Sequence, residues 1–169
     1  MNTKFLLFKL NRELKCQVIN TDKYVVKCFS PKPWSLKIKR KKANIREMVF
    51  RFYISLLTFG KVKIYYVEND MGKIIHSSYL IRKNFKYPFL QKQDAVIGPC
   101  NTESSYRGKG IYPFVINYIA NDNPELNLYM FIREEKVPSI NGVRKAGYEL
   151  CSEYISSTRI LKRFYRIKG

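Results

Sequence analysis

The segment Arg107-Gly108-Lys109-Gly110 has residue types that could bind a phosphate group. It stands immediately before an apolar run, 111–119, whose spacing predicts a helix. The first turn of a helix exposes unpaired backbone N–H groups and the positive end of the helix dipole. The two glycines leave this backbone accessible, and the two cations add positive charge. The segment therefore predicts an anion-binding turn, with a tight turn carrying two solvated cations as the alternative.

Two common nucleotide-binding motifs do not match this segment. A Walker A loop needs G-x-x-x-x-G-K followed by Ser or Thr, and the segment lacks that pattern. The dinucleotide-binding fingerprint needs three glycines. Gly108 and Gly110 fit its first two positions, but Pro113 stands at the third. The segment is thus predicted to hold phosphate oxygens without belonging to either motif.

Apolar patterns and turn residues along the chain predict the elements that position this segment. In chain order they are strands over 5–10 and 23–29, an exposed basic loop over 30–42, a helix over 44–60, a hairpin over 61–81, a strand over 94–100, a helix over 111–121, a strand over 126–133, a short helix over 137–147, and strands over 148–156 and 158–167. The strand 95–101, the helix 111–121 and the strand 128–133 make a βαβ crossover, which implies a parallel strand pair. Because the hairpin implies antiparallel pairs, the predicted fold class is mixed α/β, or α+β, around one sheet.

Length and composition predict a single domain that can bury a core without disulfides or metal. The 169 residues are 46% hydrophobic and 15% aromatic. We divide the domain into N-terminal strands and a basic loop (1–43), a core (44–155) and a C-terminal strand (156–169). Four scattered cysteines and one histidine make a zinc site improbable, and reduced thiols in a cytoplasmic protein are expected. Neither a signal peptide nor a membrane-inserted segment is expected.

Two segments resemble motifs of the GNAT acetyltransferase superfamily. "YRGKGIY" is similar to its acetyl-CoA signature, (Q/R)-x-x-G-x-(G/A), in which Arg107 takes the first position and Gly110 the central glycine. Tyr112 stands where the last small residue is usual. "VPSINGVRKAGYEL" resembles a later motif of the family, a helix followed by K-x-G-F. The two motifs enclose a buried strand, in the family's order.

The resemblance, which covers about residues 60–155, implies a fold and a co-substrate. The implied fold is a central mixed sheet of about six to seven strands, splayed around the βαβ unit, with helices on both faces. The implied co-substrate is acetyl-CoA, and no metal is implied. Backbone amides of about 108–112 would hold the pyrophosphate, and the edge of 96–101 would pair with the pantetheine arm in the gap between splayed strands. The residues predicted in this way to bind the cofactor are Gly98, Cys100, Asn101, Thr102, Arg107, Gly108, Lys109, Gly110, Ile111, Tyr112 and Ser139.

The resemblance also implies direct attack of an acceptor amine, or less often a hydroxyl, on the acetyl carbonyl. Orientation, stabilisation of the oxyanion and removal of one proton are then the tasks of the protein. Many family members use a tyrosine on the last helix as the acid for the CoA thiolate, but that position is Val143 here. The usual Asn at the start of that helix is Lys136. Either another group donates the proton or none is needed.

Two side chains are candidate general bases. His76, the only histidine, lies on the second hairpin strand, where alternation places it on one face with Ser78 and Leu80. A neutral imidazole suits an ammonium acceptor near pH 7, and a half-buried structural histidine is the alternative. Glu103 follows the buried strand, in a region where the family often places a carboxylate base. An ordinary solvated loop residue is the favoured interpretation of Glu103.

Cys100 is a third reactive group beside the predicted thioester. A covalent acetyl-cysteine is one interpretation of this cysteine, and a buried spectator thiol is the favoured one.

The net charge of +19 favours an anionic partner. We expect an anionic or amine-bearing small-molecule acceptor, such as a nucleotide-linked or phosphorylated amino sugar. One alternative is a basic module that binds nucleic acid or ribosomes, indicated by the net charge and by the absence of the usual tyrosine at position 143. The cationic run 37–42 beside Trp34 could bind nucleic acid, a membrane face or an anionic acceptor, and a solvated loop is its favoured interpretation. Another alternative is a protein N-acetyltransferase. Nucleic acid is the less favoured partner because the chain carries no recognised RNA-binding motif, and the sequence allows a homodimer.

Overall fold

The described residues form one mixed β-sheet, two α-helices and a short 3-10 turn. The computed structural model describes residues 3–13, 23–31, 49, 56, 62–84, 87–156 and 164–166. The strands are β1 (Thr3–Leu10), β2 (Val26–Phe29), β3 (Val62–Glu68), β4 (Ile74–Arg82), β5 (Asp94–Thr102), β6 (Asn127–Arg133), β7 (Tyr148–Ser156) and β8 (Phe164–Arg166). The helices are α1 (Ile111–Asp122) and α2 (Val137–Lys145), and the 3-10 turn covers Ser104–Tyr106.

The strand order across the sheet is β2-β3-β4-β5-β6-β1-β7-β8. Within the described ranges, β5 and β6 are the one parallel pair, and they are joined through α1. The predicted mixed α+β sheet around a βαβ unit is therefore confirmed, with eight strands where about six to seven were expected. The helix predicted over 44–60 lies outside the described residues except for Val49 and Leu56, and the basic run 37–42 lies wholly outside them. No helix in the described residues is long and apolar enough to cross a membrane.

The two faces of the sheet carry separate apolar cores, because side chains alternate along each strand. Both described helices pack on the same face, over a core that includes Phe8, Tyr65 and Leu128. The neighbouring residues Leu7 and Ile64 point to the opposite core. The helix-covered core contains most of the buried side chains, and it is the core beside which the predicted site residues lie.

The sheet opens between β5 and β6. The two strands pair only from Asp94 with Asn127 to Val96 with Tyr129. Beyond that point β5 stays paired with β4 as far as Thr102, while β6 stays paired with β1. A V-shaped gap therefore separates the two strands, as the resemblance implied.

The closed end of this gap is held by a buried carboxylate. Asp94 accepts a hydrogen bond from the backbone N–H of Gln91 (2.8 Å) and another from the side-chain amide of Asn127 (3.0 Å). The backbone N–H of Asn127 also donates to the Gln93 carbonyl (2.9 Å). Because β5 and β6 are tied together where they begin, their separation starts at a defined position.

Helix α1 is held at its C-terminal end by an arginine from the segment after β1. The Arg12 guanidinium donates to the carbonyls of Ala120 (3.3 Å), Asn123 (3.0 Å) and Leu126 (3.1 Å). Carbonyls at a helix C-terminus lack intrahelical partners and carry the negative end of the dipole, so a cation there is stabilising. This contact fixes the far end of the helix whose first turn faces the gap.

We expect Arg12→Ala to lower the free energy of unfolding by about 1–2 kcal/mol, since it leaves three carbonyls without their charged donor. Urea denaturation measures the change. Arg82→Ala is the matched control, because its exposed pair with Glu125 (3.2 Å) should contribute less than about 0.5 kcal/mol. Equal losses in the two variants would contradict the capping role.

Candidate active site

The predicted anion-binding turn connects the free end of β5 to α1. Gly108 and Gly110 both have φ of +76°, a left-handed conformation that favours glycine, and Gly110 is the N-cap of the helix. A Cβ added to Gly108 would meet no heavy atom within 4 Å. The absence of a side chain therefore leaves open space above the turn, where an anion could approach the backbone.

The two cations of the turn are held by neighbouring groups. Arg107 donates through Nε to the Thr102 carbonyl (3.1 Å), which closes the turn onto the end of β5. Lys109 Nζ lies 4.8 Å from the centre of the Tyr106 ring. Tyr106 in turn accepts a hydrogen bond from the Asn69 amide (3.3 Å). Both side chains remain exposed, so the cations are positioned around the turn while still in contact with solvent.

The predicted cofactor residues fall into three groups. Gly98, Cys100, Asn101 and Thr102 lie on the part of β5 that has separated from β6. The turn residues 107–110 and the first residues of α1 follow. The Ile111 side chain is buried in the core, so only its backbone can face the turn. Ser139 lies apart from these on the first turn of α2 and is half-buried.

A chain of polar side chains crosses β4 and β5 on the helix-covered face. His76 Nδ1 lies 2.7 Å from Thr102 Oγ1, and His76 Nε2 lies 2.8 Å from Ser78 Oγ. Cys100 is the β5 partner of Ser78, and its thiol lies beside the Ser78 hydroxyl. The same-face placement of His76 and Ser78 agrees with their spacing, whereas the role of Ser78 as a link in this chain was not predicted. The i, i+2 spacing of His76 and Ser78 was the available signal.

Burial sets the protonation states of His76 and Cys100 in this row of polar side chains. His76 is 1% exposed, and burial lowers its pKa from 6.5 to about 4, so the imidazole is neutral near pH 7. Burial also raises the pKa of Cys100 to about 12, which keeps it a thiol. Cys28, Cys100 and Cys151 are free, and Cys16 lies outside the described residues. No group of three or more potential metal ligands occurs in the described ranges.

Glu103 lies directly after β5 and is anchored on both its backbone and its side chain. Its N–H donates to the Ile75 carbonyl (2.9 Å), and its Oε1 forms an ion pair with Lys73. Its second oxygen, Oε2, is buried and has no hydrogen-bond partner among the described residues. A buried carboxylate oxygen without a donor is costly, so this atom is ready to accept a donor from a ligand.

The Tyr112 side chain points into the molecule from the first turn of α1. Its ring centre is 6.2 Å from that of His76, and its hydroxyl donates to Met130 Sδ at 4.0 Å. A Cβ at Gly142 would stand 2.8–2.9 Å from the ring, so the ring lies directly on the backbone of α2. Burial raises the pKa of Tyr112, with smaller contributions in the same direction from Cys100 and Tyr148. Neither Met130 nor Gly142 was predicted as a site residue.

A separate cleft of about 510 Å³ lies at the opposite end of the sheet, lined by residues that include Arg12, Asn127 and Cys151. None of the predicted site residues lines this cleft. Apart from Ser139, the predicted site residues instead lie on β4, on the separated part of β5 and the residue after it, and on the glycine turn with the first turn of α1.

Comparison with known proteins gives matches among solved structures alone. No family model matches the chain, and no curated protein matches it. It is similar to a GNAT-family acetyltransferase from Colwellia psychrerythraea (TM-score 0.64, 16% identity, 90% of this chain and 54% of that one). It is also similar to a functionally unknown protein from Staphylococcus epidermidis (TM-score 0.63, 9% identity, 90% and 60%).

A third similar structure is a GNAT phosphinothricin acetyltransferase from Sinorhizobium meliloti, solved in complex with AcCoA (TM-score 0.55, 17% identity, 76% of each chain). The chain spans only about half the length of the Colwellia protein. Identities this low establish a shared fold. Together with the splayed β5–β6 pair, these matches show that the chain has the fold of the GNAT acetyltransferases.

Proposed function

We propose that this protein transfers an acetyl group from acetyl-CoA directly to an amine acceptor. The observation that carries the proposal is the continuity of two binding features. The stretch of β5 whose edge toward β6 is free leads, through the 3-10 turn Ser104–Tyr106, into the glycine turn and then into the N-terminus of α1. One extended ligand with a hydrogen-bonding arm and a phosphate group could follow this path.

The residues of the path fit acetyl-CoA. The glycine turn and the first turn of α1 offer backbone N–H groups from about 108 to 112, whereas Pro113 has none. They would hold the pyrophosphate, with positive charge from Arg107 and Lys109 nearby. The free edge of β5, which includes Gly98, would hydrogen-bond the amides of the pantetheine arm as a neighbouring strand does. The acetyl thioester would then lie in the gap.

The protein would contribute orientation and charge stabilisation to the transfer. A backbone N–H in the gap would polarise the acetyl carbonyl and stabilise the oxyanion that forms when the amine attacks. The attacking nitrogen must lose a proton, and Glu103 Oε2 is a buried acceptor at the end of β5 that has no donor among the described residues. We propose Glu103 as the general base.

His76 is the less favoured base. Both of its ring nitrogens already have hydroxyl partners, and it is almost fully buried. A pKa near 4 also makes it a weak proton acceptor at neutral pH. Its proposed role is to orient the Thr102 and Ser78 hydroxyls beside the gap.

The acceptor is proposed to be an amine on an anionic small molecule, for example a nucleotide-linked or phosphorylated amino sugar. The support is the net charge of +19, which attracts anions. A screen of amine acceptors in which peptide N-termini or lysines are acetylated, and amino sugars are not, would change the acceptor to a protein.

Acetyl-CoA is expected to bind the purified protein with micromolar affinity in a calorimeter, and Gly110→Trp should abolish this binding by filling the space above the turn. Gly110→Ala is the control, since it imposes a similar backbone cost at φ +76° with a small side chain, and it should retain binding. Denaturation curves check that both variants fold. Absence of binding at millimolar acetyl-CoA would refute the proposal and favour an anionic polymer as partner.

Glu103→Gln keeps the size of the side chain but removes its basicity. We expect kcat to fall about 100-fold or more, with acetyl-CoA binding unchanged. Release of free CoA in the presence of the best amine from the screen measures the rate. Glu125→Gln makes the same chemical change in an exposed pair with Arg82, at the other end of β4, and should leave the rate unaltered. A Glu103→Gln enzyme with wild-type kcat would remove Glu103 from the mechanism.

The buried His76 predicts a pH dependence of stability. The unfolded chain binds a proton on His76 near pH 6.5, whereas the folded protein does so only near pH 4. Unfolding therefore takes up a proton between these values, so the free energy of unfolding falls as the pH drops below 6.5 and is unaffected by His76 above it. Between pH 6.5 and 5 the loss should be roughly 2 kcal/mol.

His76→Asn should lack this loss, and because the chain has one histidine the difference between the two denaturation series reports His76 alone. Parallel pH profiles for the two proteins between pH 6.5 and 5 would show that His76 is not buried in its neutral form.

A further inference from the structure

Tyr112 brings a phenol hydroxyl to the gap between β5 and β6. It is the second residue of α1, so its backbone belongs to the anion-binding turn while its side chain points toward the sheet. The hydroxyl reaches Met130 on β6, at a position just beyond the last β5–β6 pair. Cys100, on the separated part of β5, lies close enough to affect the titration of this phenol. The hydroxyl thus lies near both walls of the gap.

The Tyr112 hydroxyl is available to a ligand, unlike the hydroxyls of Ser78 and Thr102. The Ser78 and Thr102 hydroxyls are both hydrogen-bonded to His76. The one described partner of the Tyr112 hydroxyl is a thioether sulfur at 4.0 Å, which is a weak acceptor. Tyr112 is half-buried, and an O–H group with so weak an acceptor gains stability from any stronger one.

The position of the ring is fixed by packing. Gly142 has no side chain, and a methyl group there would overlap the ring at 2.8–2.9 Å. The ring therefore rests between the backbone of α2 and the imidazole of His76, 6.2 Å away between centres. A ring held on two sides can present its hydroxyl at one place, as a catalytic donor requires.

We propose that the Tyr112 hydroxyl donates a hydrogen bond to the CoA sulfur as the thioester breaks. The inference rests on the proposed function, which requires a CoA thiolate as the leaving group. When the amine nitrogen bonds to the acetyl carbon, the C–S bond breaks and its electron pair goes to sulfur. The proton from nitrogen passes to the base. The phenol keeps its own proton and stabilises the thiolate by hydrogen bonding alone, in keeping with the raised pKa that burial gives it.

The test uses CoA and desulfo-CoA as probes, so it needs no acceptor. A donor to the thiolate lowers the pKa of the bound thiol, and CoA binding must then tighten as the thiol ionises. Calorimetry gives the dissociation constants of CoA and of desulfo-CoA at pH 7 and at pH 9.5. The ratio of the CoA constant to the desulfo-CoA constant at each pH corrects for every other titrating group. For the wild type we expect the CoA/desulfo-CoA ratio of dissociation constants to fall about tenfold from pH 7 to pH 9.5. For Tyr112→Phe, which keeps the packing on Gly142, this ratio should change less than twofold.

Tyr118→Phe is the matched control, because it removes the same atom from a partly exposed ring on the same helix, and it should behave as the wild type. Gly142→Ala retains the phenol but displaces the ring, and it should reduce the shift as Tyr112→Phe does. An equal shift in the wild type and Tyr112→Phe would overturn this inference and leave acetyl transfer intact. A wild type that binds neither probe would overturn the proposed function, and this inference with it.

Discussion

The gap that defines the site depends on a single buried carboxylate that joins two strands at one end. Asp94 accepts hydrogen bonds from the start of β6 and from the turn before β5, so the parallel pair begins in register. Further along, each strand follows a different antiparallel neighbour, β4 for β5 and β1 for β6. Right-handed twist rotates adjacent strands relative to one another, and a pair anchored at one end only can separate as the twist accumulates. The edge left on β5 has backbone groups that need partners, and a ligand that supplies them gains affinity.

The same geometry explains why the polar groups lie where they do. Hydroxyl, thiol and imidazole groups lie side by side on β4 and on the separated part of β5, on the face that α1 covers. Buried polar groups are tolerated when they satisfy one another, as His76, Thr102 and Ser78 do. Glu103 Oε2 has no donor among the described residues, and the Tyr112 hydroxyl has a weak acceptor; for these two groups we propose contact with reacting atoms. The polar groups that we assign a structural role are thus distinguished from those that we assign a catalytic role by their hydrogen-bond partners more than by residue type.

The βαβ unit could be predicted from the sequence, because each of its elements has a strong local pattern and its turn carries glycines, which adopt positive φ. The sequence was insufficient where pairing is non-local. No local signal places β1 between β6 and β7, or takes Arg12 to the end of α1. Strict alternation would also place Ile75 opposite His76, yet a register shift between β3 and β4 at this point puts Ile75 in the helix-covered core. The glycine turn was found from its spacing, whereas Asp94, which makes the gap, looks like an ordinary strand-start residue.

Two of the departures from the family motifs, Tyr112 and Val143, lie close together in the structure. Tyr112 stands where the acetyl-CoA signature has a small residue, and Val143 stands where the last helix usually carries a tyrosine. The Tyr112 ring covers Gly142, the neighbour of Val143, so a large side chain from α1 occupies space against α2. Because the ring turns inward onto α2, a large residue at this position does not cover the backbone of the glycine turn. The phenol that α2 lacks is thus present in the same region on the neighbouring helix.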